Sequence, residues 1–420
     1  MRETKNLEFK ESISSTFLKT VSAFANYEGG QILFGIADDG TVRGIKQPGQ
    51  ACLDIENRIN DSIDPIPEYT LQVNENTSVI TLTVREGLHK PYLYRAKAYR
   101  RSDSATIEVD RLELTRLILE GRNESFEELP ARSESLSFAV LEDRLKRELS
   151  LSAVTRDTLR TLELCRGDGQ FNIAGELLAD TNSFSGTDMV RFGDSISILR
   201  DRETCAGKSI LIQYDQAVAM FRKYYQYEEI RGIARETVEL IPEAAFREAV
   251  ANALVHRTWD VDMHIHISMF PDRIEIVSPG GLPKGMSREE YLRGGISILR
   301  NRIIGNVFYR LRMIERFGTG IPRINEAYDR SRVKPQYEIM PNSIRITLPI
   351  MTRQDLSEDE NAVYAFIRNR EASSSQIMQA TGFRKSKTLA ILKKLVSAGA
   401  VREQGNGRGK RYTAADARMR

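Results

Sequence analysis

Apolar positions recur at changing intervals along the chain, and the changes outline its elements. In ISSTFLKTVSAFANYEGG, Phe17, Val21 and Phe24 share one helical face and Gly29-Gly30 ends the run, which predicts a helix. QILFGIADDGTVRGI then alternates, predicting strand, turn, strand, with Asp39-Gly40 supplying the positive φ angles of a tight hairpin. TSVITLTV and KAYRRSDSATIEV add strands, so a first α+β unit runs to about residue 120. The acidic, Ser-rich stretch 121–140 reads as a connector, and 121–240 as a mixed connecting region that includes the aromatic helix YDQAVAMFRKYYQY. Residues 241–350 give a helix, FREAVANALVHR, and two alternating strands, MHIHISMF and RIEIVS, joined at Pro271-Asp272. A Gly-rich turn, a helical insert and the strand SIRITLPI follow. From about 355, SEDENAVYAFIRNR, SSSQIMQATG and RKSKTLAILKKLVSAGA predict three helices, with Ser374 or Ser375 as a cap and Gly382 as a stop. VREQGNGRGKRYTA then alternates into two strands around Gly405-Asn406-Gly407.

Composition narrows the class. At 420 residues the chain exceeds one ordinary core, so three or four units are expected. With 41% hydrophobic and 28% charged residues it reads as globular rather than disordered. A net charge of only +3 means that any basic patch must be local. Cys52, Cys165 and Cys205 show no CxxC spacing, which suits a reducing compartment and argues against a disulfide framework or a zinc site. No apolar run reaches membrane-spanning length and the first residues are charged, so a cytoplasmic location and no membrane partner are expected.

The helix 246–257 carries two faces. Phe246, Val250 and Leu254 form an apolar seam, while Glu248, Asn252 and His256 recur at the same interval on the other side. Such polar stripes are usually solvated. Here, however, Asn and His are mediocre helix formers, and Ala249, Ala251 and Ala253 leave room for close approach. With a rigid carboxylate one turn from an amide, the carboxylate can polarise an attacking water and the amide oxygen can ligate Mg²⁺ held between phosphates. Two Gly clusters follow, SPGGLP (278–283) and RFGTGIPRI (316–324), the second ahead of a predicted helix whose N-terminus would favour phosphate. His264 and His266 share a strand face but have no third ligand nearby, so a polar strand face is expected rather than a metal site.

In order and spacing, PEAAFREAVANALVHRTWD, IEIVSPGGLP and ERFGTGIPRI resemble the Bergerat-fold (GHKL) ATPases, and more closely their divergent RecG-related branch. The resemblance implies Glu248 as the water-activating base, Asn252 as the Mg²⁺ ligand, and a nucleotide pocket shaped by His256, Ser278, Gly280, Gly281, Gly318, Thr319 and Gly320. Residues 284–314 would be its lid. Where the superfamily places an Asp for the adenine amino group, this chain has Ser278, a neutral acceptor, so weak binding and slow or absent hydrolysis are expected. ATP and Mg²⁺ are the implied cofactors. No GxxxxGK[ST] loop occurs, which argues against a true helicase motor.

TKNLEFKES with AFANYEGGQILFGIADDGTVRGI resembles the Schlafen, AlbA-like domain over residues 1–120 and implies nucleic-acid binding. HKPYLYRAKAYRR places Lys90, Arg100 and Arg101 among aromatics, where cations would hold phosphates and rings would stack on bases; an ordinary edge strand with solvated charges is the alternative. Some relatives are nucleases, and the comparable acids here are Glu3, Glu8 and Asp38, which gives a metal-dependent nuclease gated by the ATP-binding unit as a second reading. The tail resembles a winged helix-turn-helix, with Arg384, Lys385 and Lys387 opening the third helix and Arg408, Lys410 and Arg411 on the wing as DNA contacts.

The expected architecture is therefore an α+β multidomain chain. It comprises a Schlafen AlbA-like α+β domain (1–120), a connecting region (121–240), a GHKL-like α/β sandwich (241–350) and a winged helix-turn-helix (355–420). The expected function is an ATP-binding transcriptional regulator that contacts DNA, with RNA as an alternative partner and homodimerisation left open. A scaffold with a degenerate pocket is the remaining class.

Overall fold

Around its first apolar stripe the chain builds a four-stranded sheet in the order β1-β2-β5-β4. β1 (Leu7–Lys10) and β2 (Gly30–Phe34) pair in parallel, which requires a crossover, supplied by α1 (Phe17–Asn26). Phe17, Val21 and Phe24 of α1 are buried in the core against Ile32, Phe34 and Leu82. α2 (Pro48–Ser62) begins with Pro48 and buries Ala51, Ile55 and Ile59 along one face. β3 (Ile63–Asp64) pairs with β6 (Leu93–Tyr94), and β4 (Tyr69–Asn74) with β5 (Val79–Val84). β7 (Tyr99–Ser102) and β8 (Ala105–Glu108) form a hairpin before α3 (Arg111–Arg122), which Asp110 caps by accepting from Glu113 N. The strand expected in TVRGI is reduced to a single bridge, Ile36 to Val42. Gly35 at φ 92° and Gly44 at φ 70° turn the chain away from extended geometry, and Arg43 N and Gly44 N both donate to Gly35 O.

The computed structural model describes residues 2–150, 153–231, 234–315, 318–329, 331–351, 357–367, 370–397, 400–405 and 409–414. Within these, the chain divides into one unit of residues 1–327 and 335–349 and another of residues 328–334 and 350–420.

The stretch read as a connector is built into the first unit. Its 3₁₀ turn Phe126–Glu128 buries Glu127 completely. That carboxylate accepts from Ile303 N at 2.6 Å and Ile304 N at 3.0 Å, and burial pushes its pKa up to about 7. α4 (Ala139–Leu149), α5 (Arg156–Thr161) and α6 (Ile173–Leu178) follow. β9 (Thr187–Phe192), β10 (Leu199–Cys205) and α7 (Ile210–Tyr225) come next, then the separate hairpin of β11 (Gln226–Arg231) and β12 (Ala234–Glu239).

The large sheet runs β10-β9-β13-β14-β16-β15. β13 (Ile265–Met269) lies parallel to β9 and antiparallel to β14 (Arg273–Pro279). α8 (Glu243–His256) packs on β14 and on β16. α9 (Arg288–Arg293), α10 (Arg302–Arg310) and α11 (Gly320–Ala327) precede β15 (Gln336–Met340) and β16 (Ser343–Pro349). The boundary expected at 241 thus needs correction, because β9 and β10 supply two strands of this sheet. α7 also stacks Phe221 on Phe246 of α8 with ring centres 4.5 Å apart. Pairing with β13 depends on residues nearly eighty positions apart, which no local pattern displays.

In the second unit α12 (Glu358–Ile367), α13 (Ser374–Thr381) and α14 (Lys385–Ser397) precede the antiparallel pair β17 (Val401–Gln404) and β18 (Arg411–Ala414). Val363, Ile367, Ile377, Leu392, Leu395 and Tyr412 are among its core residues. Ser373, not Ser374 or Ser375, caps α13 in a reciprocal pair with Gln376, and Gly382 closes it at φ 71°. No helix among the described residues is long and apolar enough to cross a membrane.

Candidate nucleotide site

α8 is buried around most of its circumference. Phe246, Val250 and Leu254 are fully buried, and so are Ala249, Ala251 and Val255. Its polar stripe therefore does not face bulk water. Glu248, Asn252 and His256 are each half-buried, and Asn252 and His256 line one cavity of about 90 Å³. Ser278, Gly280 and Gly281 line the same cavity from the end of β14 and the turn after it, as do Gly318 and Gly320 at the start of α11. The floor is apolar, with Ile276, Ile344 and Ile346 contributed by the sheet.

The Gly positions have steric reasons. Gly280 has φ 104°, and a Cβ there would lie 2.0 Å from Thr258 Oγ1. A Cβ on Gly320 would lie 2.6 Å from Asn252 Nδ2 and 2.8 Å from Glu248 Oε1. The amide and the carboxylate thus meet at the N-terminus of α11, where unpaired N–H groups favour an anion. Asn252 Nδ2 donates to Glu248 Oε1 across 3.4 Å. Burial raises the Glu248 pKa, with Arg323 acting against the shift, a direction suited to accepting a proton near neutral pH. Glu248 stands beside the cavity rather than in its lining, and Thr319 lies outside the lining too, its carbonyl accepting from Arg323 N.

The segment 284–314 supplies one wall through Met286, Tyr291, Gly294, Ile296 and Ile298. Arg300 clasps it to the other walls, donating to His256 O at 3.1 Å and Gly281 O at 2.8 Å. Sequence reasoning passed over Arg300, Tyr291 and Gly294; the Gly294-Gly295 doublet was the one local signal, and Gly295 N donates to Gly318 O at 3.0 Å. Arg316 and Phe317 of the second Gly cluster lie outside the described residues. The donor set fits a magnesium nucleotide: an apolar slot for a base, then an amide, a carboxylate and a helix N-terminus for phosphates and metal.

His264 and His266 have separate partners. His264 Nδ1 accepts from Gly186 N at 3.2 Å, and His266 Nδ1 lies 3.9 Å from Asp188 Oδ2.

In the N-terminal part, the cations expected to hold nucleic acid are mostly committed elsewhere, and this corrects the sequence reading. Lys90 is buried, its Nζ 2.7 Å from Glu86 and 2.8 Å from Glu120. Arg101 is buried against Glu8 and also donates to Thr106 Oγ1 at 2.9 Å and Thr4 O at 3.2 Å. Arg100 keeps partial exposure but pairs with Glu113 at 3.1 Å. Tyr92, Tyr94 and Tyr99 are core residues, not a stacking surface. The Asn of ANYEGG serves this packing: Asn26 Nδ2 donates to Tyr92 O, and Tyr92 N donates to Asn26 Oδ1.

Glu3, Glu8 and Asp38 are not brought together. Glu3 accepts from Phe9 N at 2.8 Å, Glu8 is paired with Lys10 and Arg101, and Asp38 is exposed in its turn. No group of three His, Cys, Asp or Glu that could hold a metal occurs among the described residues.

In the C-terminal unit Arg384, Lys385 and Lys387 are all exposed at the start of α14, with Lys387 2.8 Å from Asp359. Lys410 lies 2.6 Å from Glu403, and Arg411 donates to Gln376 Oε1 at 2.9 Å. Arg408 lies outside the described residues.

Two family models match parts of the chain. Residues 3–110 match the family described as Schlafen, AlbA_2, and residues 262–348 the family described as "Putative ATP-dependent DNA helicase recG C-terminal". The chain thus combines a Schlafen AlbA_2 domain with a RecG C-terminal, ATPase-like domain in a mixed α+β fold. The second match begins after α8, so Glu248, Asn252 and His256 precede it. Among solved structures, the DIP2311 protein from Corynebacterium diphtheriae is similar at 17% identity and a TM-score of 0.48, covering 98% of this chain and 92% of its own. The N-terminal domain of a putative ATP-dependent DNA helicase RecG-related protein from Nitrosomonas europaea is similar at 22% identity and a TM-score of 0.21, over 26% of this chain and 85% of its own. No curated protein matches the chain.

Proposed function

We propose that the protein is an ATP-binding, DNA-binding regulator in which nucleotide binding between α8 and α11 alters DNA contact. The observation that carries the reading is the meeting of Glu248 and Asn252 at Gly320 beside an apolar cavity. Asn252 would help to hold a Mg²⁺ ion, which when bound would neutralise phosphate charge that the protein's own groups leave. Glu248 would hold a water and take its proton, and the N-terminus of α11 would face the phosphates. At about 90 Å³ the cavity is smaller than the ~300–1,000 Å³ of typical small-molecule sites, so residues 284–300 must swing outward to admit a nucleotide.

That segment is mechanically connected. Lys284, three residues past Gly281, bridges Glu86 and Glu120, and Arg116 of α3 grips Asp260 after α8 with two bonds of 2.7 and 3.1 Å. α3 therefore holds both the lid's start and the end of α8, and lid opening would strain it. In the sequence, α11 is followed directly by residues that cluster with the C-terminal unit, among them Tyr328 and Asp329. In that unit we assign a winged helix-turn-helix, with α14 as the recognition helix presenting Arg384 and Lys385 to DNA.

The test is a fluorescence-anisotropy titration of duplex DNA at low salt, with and without Mg-ATP. Wild-type affinity should change on adding ATP, the change should vanish in Asn252→Ala, and Arg384→Ala with Lys385→Ala should weaken binding in both conditions. Affinity that ignores both ATP and the α14 substitutions would overturn the reading.

A further inference from the structure

Lys284 and Lys90 share one pair of carboxylates, and the sharing is unequal. Lys90 is buried, with 2% of its side chain exposed, and reaches Glu86 at 2.7 Å and Glu120 at 2.8 Å. Lys284, at the start of the 284–300 segment, is 63% exposed, pairs with Glu86 and lies 2.7 Å from Glu120. Both lysines meet the same oxygen, Oε1, of each glutamate. Burial alone would raise these carboxyls, but the two ammonium groups hold both below the usual carboxylate range, so they stay charged.

The inequality decides which partner can leave. Were Lys284 to depart, Lys90 would keep both carboxylates, so no buried charge would be stranded. What is lost is two exposed ion pairs, each weak and screened by salt. The two ammonium groups also repel each other across the oxygens they share, which eases the release. Lys90 is the permanent member and Lys284 the removable one.

Its position gives that release a mechanical effect. The segment is a strap fixed at both ends. At the far end Arg300 donates to His256 O and Gly281 O, and Asn301 Nδ2 to Val255 O and Arg257 O. At the near end Gly280 N donates to Asn342 O at 2.8 Å. Lys284 is a third fixed point between them. Held, it confines bending to the stretch that starts at Gly285, φ 82°, where a side chain would meet nothing within 4 Å. Released, it returns Leu282, Pro283 and its own residue to the strap, about 10 Å of extra chain at ~3.4 Å per residue. Resting on the nucleotide reading above, we propose that Glu86, Glu120 and Lys284 form an autoinhibitory ionic latch, by which the N-terminal part of the chain keeps the strap short and the cavity shut to nucleotide. The site then admits ligand in proportion to the unlatched fraction, so weakening the latch strengthens binding.

The experiment uses the full chain as wild type, Lys284→Gln and Lys284→Arg. Hydrogen exchange of the amides of 285–299 follows the strap, and titration with Mg-ATP and with adenosine follows access to the cavity. Lys284→Gln should speed exchange in that stretch and tighten both ligands by about three- to tenfold, the size of one or two exposed pairs. Lys284→Arg, which keeps the charge, should stay near wild type. Raising salt from about 0.01 M to about 0.5 M should move wild type toward the Gln variant and leave that variant unmoved. Adenosine carries no charge, so this comparison is free of screening of the ligand itself. An ion pair that merely supports the fold gives the opposite sign, because its loss would weaken binding. Unchanged exchange in Lys284→Gln, or ATP and adenosine bound no more tightly than by wild type, overturns the latch while leaving nucleotide binding intact. If no form of the protein retains ATP or adenosine at millimolar concentration, the nucleotide reading falls and the inhibitory role with it, while exchange in 285–299 still decides whether Lys284 tethers the strap.

Discussion

Between residues 89 and 101 the chain spends its cations inside the fold, Lys90 on Glu86 and Glu120, and Arg101 on Glu8, with the intervening tyrosines in the core. At the start of α14 the same kinds of side chain, Arg384, Lys385 and Lys387, stand exposed. Both stretches read as nucleic-acid contacts from composition. What separates them is partners distant in sequence: Glu8 is 93 positions from Arg101 and Glu120 is 30 from Lys90. A basic, aromatic stretch is thus available to a partner only where no carboxylate of the fold claims its charges.

The largest effect should come from Arg101→Ala. It leaves Glu8, itself 6% exposed, with Lys10 as its remaining cation and should cost about 3 kcal/mol in urea unfolding, the low end of the usual penalty for breaking a buried pair; a loss under ~1 kcal/mol would put Arg101 back among the available cations. Next, Arg384→Ala with Lys385→Ala should weaken duplex binding about tenfold or more. It should flatten the dependence of log affinity on log salt by about one unit per charge and leave stability within ~0.5 kcal/mol. Equal salt slopes in variant and wild type would erase the distinction between the two stretches. A smaller signal lies in His256, whose neutral form is favoured by desolvation and by the nearby Arg300 charge. Its folded pKa of about 4 lies below its ordinary 6.5, so the stability it contributes is complete above pH 6.5 and is lost as pH falls through about 4. His256→Gln should lose that component of the acid dependence and behave like wild type at pH 8. The smallest effect belongs to Lys97→Ala, whose exposed pair with Glu108 should leave the denaturation midpoint unmoved.

The pocket was more legible than the basic stretch because its signals are local. Glu248, Asn252 and His256 repeat along one helix, and Gly280, Gly318 and Gly320 stand where backbone or side chains approach too closely for a Cβ. The Schlafen AlbA_2 and RecG-type regions were legible for the same reason, as contiguous motifs. What stayed hidden was pairing across the chain. β9 and β10 joined a sheet whose other strands begin some sixty residues later, and Glu127, in what read as a solvated connector, caps α10 from 176 positions away. Arg300 gave no sign of its clasp, since a backbone carbonyl as acceptor leaves no mark in the sequence. Glu3 and Glu8 read as members of a triad with Asp38 only until the partners of the two glutamates and the exposure of Asp38 were placed.

The whole account depends on a nucleotide entering beside α8. Thermal unfolding of the full chain, titrated with Mg-ATP in wild type and in Asn252→Ala, asks this with one instrument. At a hundredfold excess over the dissociation constant, wild type should gain ~2.7 kcal/mol and Asn252→Ala, at the same concentration, little or nothing. No stabilisation of the wild type, or equal stabilisation of both proteins, would contradict it.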